Sequence, residues 1–188
     1  MSELQLFHMG FQIIKEPDIK RGRSNADFGQ GFYLSDNEEF SKRWARKRKD
    51  MIPYLNKYLL NTESLKIKTF ERDMEWYDYI FSNRLGKSDS LSEYDVIIGP
   101  IANDTLYDTL GLLTSGMLKK SQALEVLQIG KQYYQIVIKS EKALQSLKFL
   151  EALEISDEEI GKYQAFRKKE ESEFQTQFAR IIGELNLD

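Results

Sequence analysis

The 188-residue chain has no cysteine and one histidine, His8. Without cysteine there is no disulfide scaffold, no thiolate-ligated metal site and no thiol nucleophile. A metal motif built on two histidines cannot be assembled either, so no metal ligands are nominated. No apolar run approaches the length needed to cross a bilayer, and residues 1–10 lack the basic segment and apolar core of a signal peptide. The expectation is a soluble cytoplasmic protein with no membrane partner. Internal repeats and low-complexity segments are lacking as well. What is present is a composition of 41% hydrophobic and 12% aromatic residues, which describes a folded globular chain with one main core. The net charge of −3 hides an uneven spread. Residues 151–188 hold ten acidic and five basic side chains, against 20 and 22 in residues 1–150. The chain therefore divides into a mildly basic body, 1–150, and an acidic helical extension, 151–188.

The hydrophobic pattern reads as mixed α and β. Residues 4–11 form an apolar-rich opening strand, followed by a polar stretch, 18–27, that holds Arg21 and Arg23. Gly29-Gln30-Gly31 is a glycine turn feeding a second strand at Phe32-Tyr33-Leu34. Ser35 and Glu38 have capping-box spacing, and Phe40, Trp44 and Ala45 mark an apolar stripe, predicting a helix that runs to about Asp50. Segments 54–61 and 64–70 are rich in strand formers on either side of Asn61-Thr62-Glu63 and predict a hairpin. Met74, Trp76, Tyr77, Ile80 and Phe81 have helical spacing. A strand at 94–98 stops at Gly99-Pro100. Helices at 105–113 and 121–128 precede a strand at 134–138, helical turns at 140–147 and a short strand at 147–150. In the tail, Ser156 and Glu159 form a second capping box, and Ile160, Tyr163, Phe174, Phe178, Ile181, Ile182 and Leu185 recur at helical intervals. This long amphipathic helix is expected to lay its stripe on the body in preference to a partner.

Several features carry chemistry or plain structure. A lone histidine in an apolar strand is either a satisfied structural residue or a site residue. The Gly29-x-Gly31 pair leads into a strand rather than a helix, so a classical dinucleotide-fold reading fails. Asn83-Arg84 either meets a phosphate or ends its helix. Asp95 and Asp104 flank the rigid Gly99-Pro100 turn; each offers a carboxylate, and Asn103 or Asp104 serves equally as a helix cap. Six of the eight residues 42–49 are basic, a density that suits a polyanion. On a helix, however, successive residues turn by about 100°, which spreads those charges around the axis.

Three stretches taken in order are more specific than any one of them: Leu6-Phe7-His8-Met9-Gly10, then Asp27-Phe28-Gly29-Gln30-Gly31-Phe32-Tyr33-Leu34, then Tyr94-Asp95-Val96-Ile97-Ile98-Gly99-Pro100-Ile101-Ala102-Asn103-Asp104. Together they resemble the domain-of-unknown-function 3990 family, which is similar to the ADP-ribosyltransferase superfamily in its histidine-tyrosine branch. The resemblance spans about residues 4–150. It implies an α+β fold with a split, mostly antiparallel β core, flanking helices and a cleft that holds NAD. His8 would bind the adenosine ribose, the Met9-Gly10 backbone the nicotinamide amide, and Tyr33 the nicotinamide ring. Phe28, Gly29 and Gly31 of the turn would also bind the cofactor, and Arg21, Arg23, Asn83 and Arg84 would lie toward its phosphates.

The resemblance also marks a departure. Where the branch places a catalytic glutamate on a late strand, this chain has Gln135, which can hydrogen-bond a hydroxyl but supplies no charge and cannot act as a base. Asp104 is the alternative source of a carboxylate. The implied activity is mono-ADP-ribosyl transfer from NAD to a macromolecule, protein or nucleic acid, or hydrolysis of NAD. The implied setting is a toxin of a toxin-antitoxin or phage-defence system, with an antitoxin or self-association through the C-terminal helix as further partners. The alternative is a catalytically weak or inactive nucleotide- or partner-binding module of the same fold.

Overall fold

The fold was obtained as a computed structural model, which describes residues 2–102, 111, 115–116 and 118–185. The predicted helix at 105–113, and with it Asn103 and Asp104, lies outside the described residues save for Gly111. Seven strands form two sheets: β1 (Glu3–Gly10), β2 (Phe32–Leu34), β3 (Tyr54–Asn61), β4 (Ile67–Thr69), β5 (Val96–Pro100), β6 (Tyr134–Ile138) and β7 (Leu147–Glu154). One sheet has the order β1-β3-β7 and the other β2-β6-β5-β4; every pairing is antiparallel except β4 with β5. The described helices are α1 (Glu38–Lys42), α2 (Met74–Arg84), α3 (Lys120–Leu127), α4 (Glu141–Gln145) and α5 (Asp157–Leu185).

Strand alternation sorts the side chains into layers. Phe32 and Leu34 of β2, Val96 of β5, and Ile136 and Ile138 of β6 meet Leu6, Tyr58 and Leu60 of the facing sheet in a core between the sheets. The odd-numbered neighbours Tyr33, Ile97 and Val137 point the other way, into a second core against Trp76, Ile80, Val126 and Phe174 from α2, α3 and α5. The sheets touch where Phe7 and Ser35 exchange backbone hydrogen bonds of 2.8 and 3.0 Å. That contact brings the end of β1 beside β2.

Three local expectations are corrected. Segments 54–61 and 64–70 do not form a hairpin: β1 and β7 occupy both edges of β3, so the chain crosses to the other sheet and β4 pairs in parallel with β5. Ser35 is not the cap of α1: its hydroxyl donates to the Tyr134 carbonyl and accepts from the Asn37 N–H at 3.2 Å, while Asn37 caps the helix, accepting from the Phe40 N–H at 2.8 Å. The helix also ends at Lys42 rather than near Asp50. The carbonyls of Arg43 and Ala45 accept from the Arg167 guanidinium, and Asp50 adopts a φ of 58° in a tight turn closed by an Arg48–Met51 bridge.

The tail follows expectation. Ser156 and Glu159 form the reciprocal cap, with bonds of 3.1 and 3.2 Å. The 29-residue helix α5 packs Ile160 beside Phe7 and Leu55 at one end, and Phe174 and Ile181 into the helical core at the other. Its acidic character meets the basic segment. Glu170 pairs with Arg43 at 2.6 Å, Asp157 pairs with Lys47 at 2.6 Å, and Tyr163 donates to Glu39 at 2.8 Å. The last strand crosses the body-tail boundary read from composition, since β7 continues to Glu154 before α5 begins. No helix of the described residues is long and apolar enough to cross a membrane.

Candidate functional site

His8 follows the residue that joins the two sheets, and its ring lies 4.7 Å from that of Phe32. Its Nδ1 is 2.8 Å from the Tyr33 carbonyl oxygen. A carbonyl only accepts, so Nδ1 carries the proton, and in the neutral ring Nε2 is left as an acceptor. Burial lowers the His8 pKa below the ordinary 6.5, with the bond to Tyr33 partly opposing the shift, so the ring is neutral at pH 7. Nε2 faces Gly10, where an added Cβ would lie 3.4 Å away. Beside it opens a cavity of about 770 Å³, bordered by His8, Gly31, Phe32, Tyr33, Arg21 and the loop 12–18.

That loop is fixed by two residues of β3. Asn56, fully buried, accepts from the Ile14 N–H at 2.8 Å and donates to the Gln12 carbonyl at 3.0 Å, while the Tyr58 hydroxyl donates to the Ile14 carbonyl at 2.7 Å. Arg21 stands at the rim in a short 3-10 turn capped by Asp18, with a side chain 81% exposed and 3.7 Å from the Asp18 carboxylate.

The glycine turn has a different reason at each position. Gly29 has a φ of 71°, in the left-handed region. At Gly31 a Cβ would lie 2.6 Å from the Ile138 carbonyl oxygen, so only glycine allows this approach to β6. The Tyr33 hydroxyl ties the turn together, donating to the Gly29 carbonyl at 2.7 Å and accepting from the Phe28 N–H at 3.0 Å. Burial pushes its pKa well above the ordinary value. Beneath the turn Lys139, whose side chain is only 6% exposed, donates to the Phe28 carbonyl at 2.5 Å and pairs with Asp89 at 2.8 Å. Burial acts to raise the Asp89 pKa, but the Lys139 ammonium, the Leu91 N–H and the Tyr79 hydroxyl together hold it below the ordinary carboxylate value.

His8, Arg21, Gly31 and Tyr33 border one cavity, but the Tyr33 ring packs against the helical core, on the other side of β2 from Phe32 and His8. Met9 and Gly10 continue β1 beside the cavity. Phe28 is fully buried beneath the turn, and Gly29 is the turn's left-handed residue. Asn83 and Arg84 end α2 and hold the turn from behind: Asn83 donates to the Asp27 carbonyl at 3.1 Å, and Arg84 pairs with the Asp27 carboxylate at 2.8 Å. Arg23 is exposed and is not among the residues bordering the cavity. Gln135, also outside that border, is buried, and its Nε2 has no hydrogen-bond partner among the described residues. It lies on the same side of β6 as Val137, the side of the helical core, whereas His8 packs on Phe32. Asp95 is committed to structure, accepting from Ser140 at 2.6 Å and from the Lys66 N–H at 2.8 Å. Sequence reasoning missed Asn56, Tyr58, Lys139 and Asp89. Only Asn56 left a signal, as an amide set between strand formers.

A histidine where two sheets meet, a glycine turn packed on β6 and a cavity between them define a small α+β protein with a cleft at the junction of its sheets. The model of the family described as a protein of unknown function, DUF3990, matches residues 4–149. The chain belongs to the DUF3990 family. Its match ends within β7, so α5 lies beyond it. No curated protein and no solved structure matches the chain.

Proposed function

We propose that this protein is an ADP-ribosyltransferase-like enzyme that binds NAD in the cavity beside His8 and transfers ADP-ribose to a macromolecule. One observation carries the reading: a neutral His8, its Nδ1 proton fixed by the Tyr33 carbonyl, offers Nε2 as an acceptor at a cavity of about 770 Å³. That volume is in the range of about 300–1,000 Å³ typical of small-molecule and cofactor sites. An acceptor nitrogen suits a ribose hydroxyl, and the rim guanidinium of Arg21 suits a pyrophosphate. In the reaction the bond between ribose C1′ and the nicotinamide nitrogen breaks, nicotinamide leaves with the bonding pair, and a nucleophile of the acceptor, or water, bonds to C1′ and gives up its proton. Positive charge builds on the ribose as this happens, so rigid positioning of both rings by the locked turn and loop is the contribution of this chain.

A nucleotide-binding module with weak or no transfer is the second reading. The carboxylates bordering the cavity among the described residues are Glu16 and Asp18, both on the exposed loop, and β6 offers Gln135 on its other face. Incubation with adenylate-labelled NAD and cell extract separates the two readings. Nicotinamide release with label in a macromolecule, both abolished in His8→Ala, supports transfer. NAD binding by calorimetry without release favours the module, and neither binding nor release removes NAD from the account. The toxin role is tested by induced expression, where growth arrest by the native chain and relief by His8→Ala are expected.

A further inference from the structure

The basic run at 42–49 has a shape that its helical reading did not foresee. Because α1 ends at Lys42, residues 46–49 are not wound around an axis but fall in and beside the tight turn closed by the Arg48–Met51 bridge. Arg43 is committed to Glu170 and Tyr133, and Lys47 pairs with Asp157. Arg46, Arg48 and Lys49 are exposed and have no ion pair among the described residues. Acidic groups also face this cluster: Asp50 lies in the turn itself, Asp157 pairs with Lys47, and Glu170, Glu171 and Glu173 border the same cavity as Trp44 and Arg46.

Two further observations give the patch a direction. Trp44 is 45% exposed, and with Arg46 it borders a second cavity of about 420 Å³ floored by Tyr133 and Phe174. On the other side, the Arg48 guanidinium lies 5.9 Å from the Phe11 ring, immediately before the loop that walls the His8 cavity. The turn therefore has Arg46 and the half-exposed Trp44 at one cavity and Arg48 against Phe11, next to the loop of the other.

We infer that the Arg46–Met51 turn and Trp44 form a docking surface for single-stranded nucleic acid, with the cations following the phosphates and Trp44 stacking on a base. Cations in a row neutralise successive phosphates, and an indole accepts any base, which is the combination single strands require. The proposal rests on the transferase reading only in making the bound strand the acceptor; the docking itself does not depend on it.

The test is fluorescence anisotropy of the full chain with fluorescein-labelled single-stranded DNA and RNA oligonucleotides, between about 50 and 200 mM salt. Arg46→Glu/Lys49→Glu is expected to weaken binding about tenfold or more and to reduce the salt slope by about 0.7 per lost phosphate contact. Lys87→Glu/Lys148→Glu, the same charge change on other exposed lysines, leaves binding near the native value. Trp44→Ala is expected to cost about fivefold to a hundredfold and to abolish quenching of tryptophan fluorescence by the strand, since the other tryptophan, Trp76, is fully buried. Circular dichroism confirms that each variant is folded.

No anisotropy change with either strand overturns the proposal, as does equal weakening by the control pair. An acidic peptide that binds as tightly as the oligonucleotides, with Trp44→Ala unaffected, overturns it in favour of a protein partner. The two readings fail separately. Nicotinamide release without strand binding leaves the transferase and removes this surface, whereas strand binding without release leaves the surface and removes the transferase.

Discussion

Replacing Tyr33 by phenylalanine keeps the ring and its packing against the helical core and removes one oxygen. That oxygen accepts from the Phe28 N–H at 3.0 Å and donates to the Gly29 carbonyl at 2.7 Å, and both residues are buried. The variant leaves one buried donor and one buried acceptor without partners, each costing about 1–3 kcal/mol. The rest of the turn stays bonded, through Lys139 to the Phe28 carbonyl and through the Gly29 N–H to the Ala26 carbonyl, which limits the total to about 2–4 kcal/mol. With a urea slope of about 2 kcal/mol per molar, the midpoint should fall by about 1–2 M. Tyr58→Phe is the comparison: its hydroxyl makes one bond, to the Ile14 carbonyl, so a fall of about half that size is expected. If Tyr33→Phe unfolds within about 0.3 M of the native midpoint, the hydroxyl is not what holds the turn, and the division of labour assigned to Tyr33 is refuted.

Four other outcomes follow from the same geometry. Because burial lowers the His8 pKa, the unfolded chain takes up a proton near pH 6.5 that the folded chain refuses until lower pH. Stability from this source is complete above pH 6.5 and is lost as pH falls, so urea midpoints should decline below pH 6.5 in the native chain and stay flatter in His8→Gln; equal slopes would contradict the burial. The window is separate from that of Asp89, Asp95 and Glu38, whose lowered pKa values make their contributions fade only below about pH 4. Lys139→Met removes the cation from Asp89 and should cost about 2–4 kcal/mol at pH 7, with a smaller loss in acid where Asp89 protonates, read from urea curves at two pH values. Arg43→Ala deletes the pair with Glu170 and the stacking on Tyr133 and Phe166, so amide exchange in α5 should speed up with little change in β1 and β3, at a cost of about 1–3 kcal/mol. Asn56→Leu fills the space but strands the Ile14 N–H and Gln12 carbonyl; it should raise sensitivity to limited proteolysis in the loop 12–18 and, on the proposed reading, weaken NAD binding by calorimetry.

The parts of the fold that were legible are those set by local chemistry. The reciprocal Ser156–Glu159 cap, the stripe of α5 and the alternation of β6 each depend on residues within one element, and the structure reproduces them. What was illegible is competition between elements. Nothing in 54–70 shows that β1 and β7 claim both edges of β3, which is what converts an apparent hairpin into a crossover. Nor does Ser35 show that its hydroxyl is drawn to Tyr134, 99 residues away, leaving the cap to Asn37. The end of α1 is the same case, since the guanidinium that takes its carbonyls comes from Arg167 in the tail.

The candidate site divides along the same line, and strand alternation decides where. His8 and the glycine turn stand out through the family resemblance of three stretches taken in order, since a lone histidine or a Gly-x-Gly pair is a weak signal by itself. Gln135 is marked by the same resemblance, as the residue in the place of a glutamate, yet a strand shows each residue to only one side. Val137 and Tyr33 packing on the helices fixes that side for β6 and β2, so Gln135 faces the helical core while His8 stays with Phe32. The Gln135 Nε2, without a hydrogen-bond partner among the described residues, is then a buried donor on the side of the helical core and away from the His8 cavity. A Gln135→Leu chain that releases nicotinamide at the native rate and resists urea at least as well as the native chain would assign Gln135 to the core. A drop in release with no loss of stability would instead require β6 to turn its other face toward the ligand.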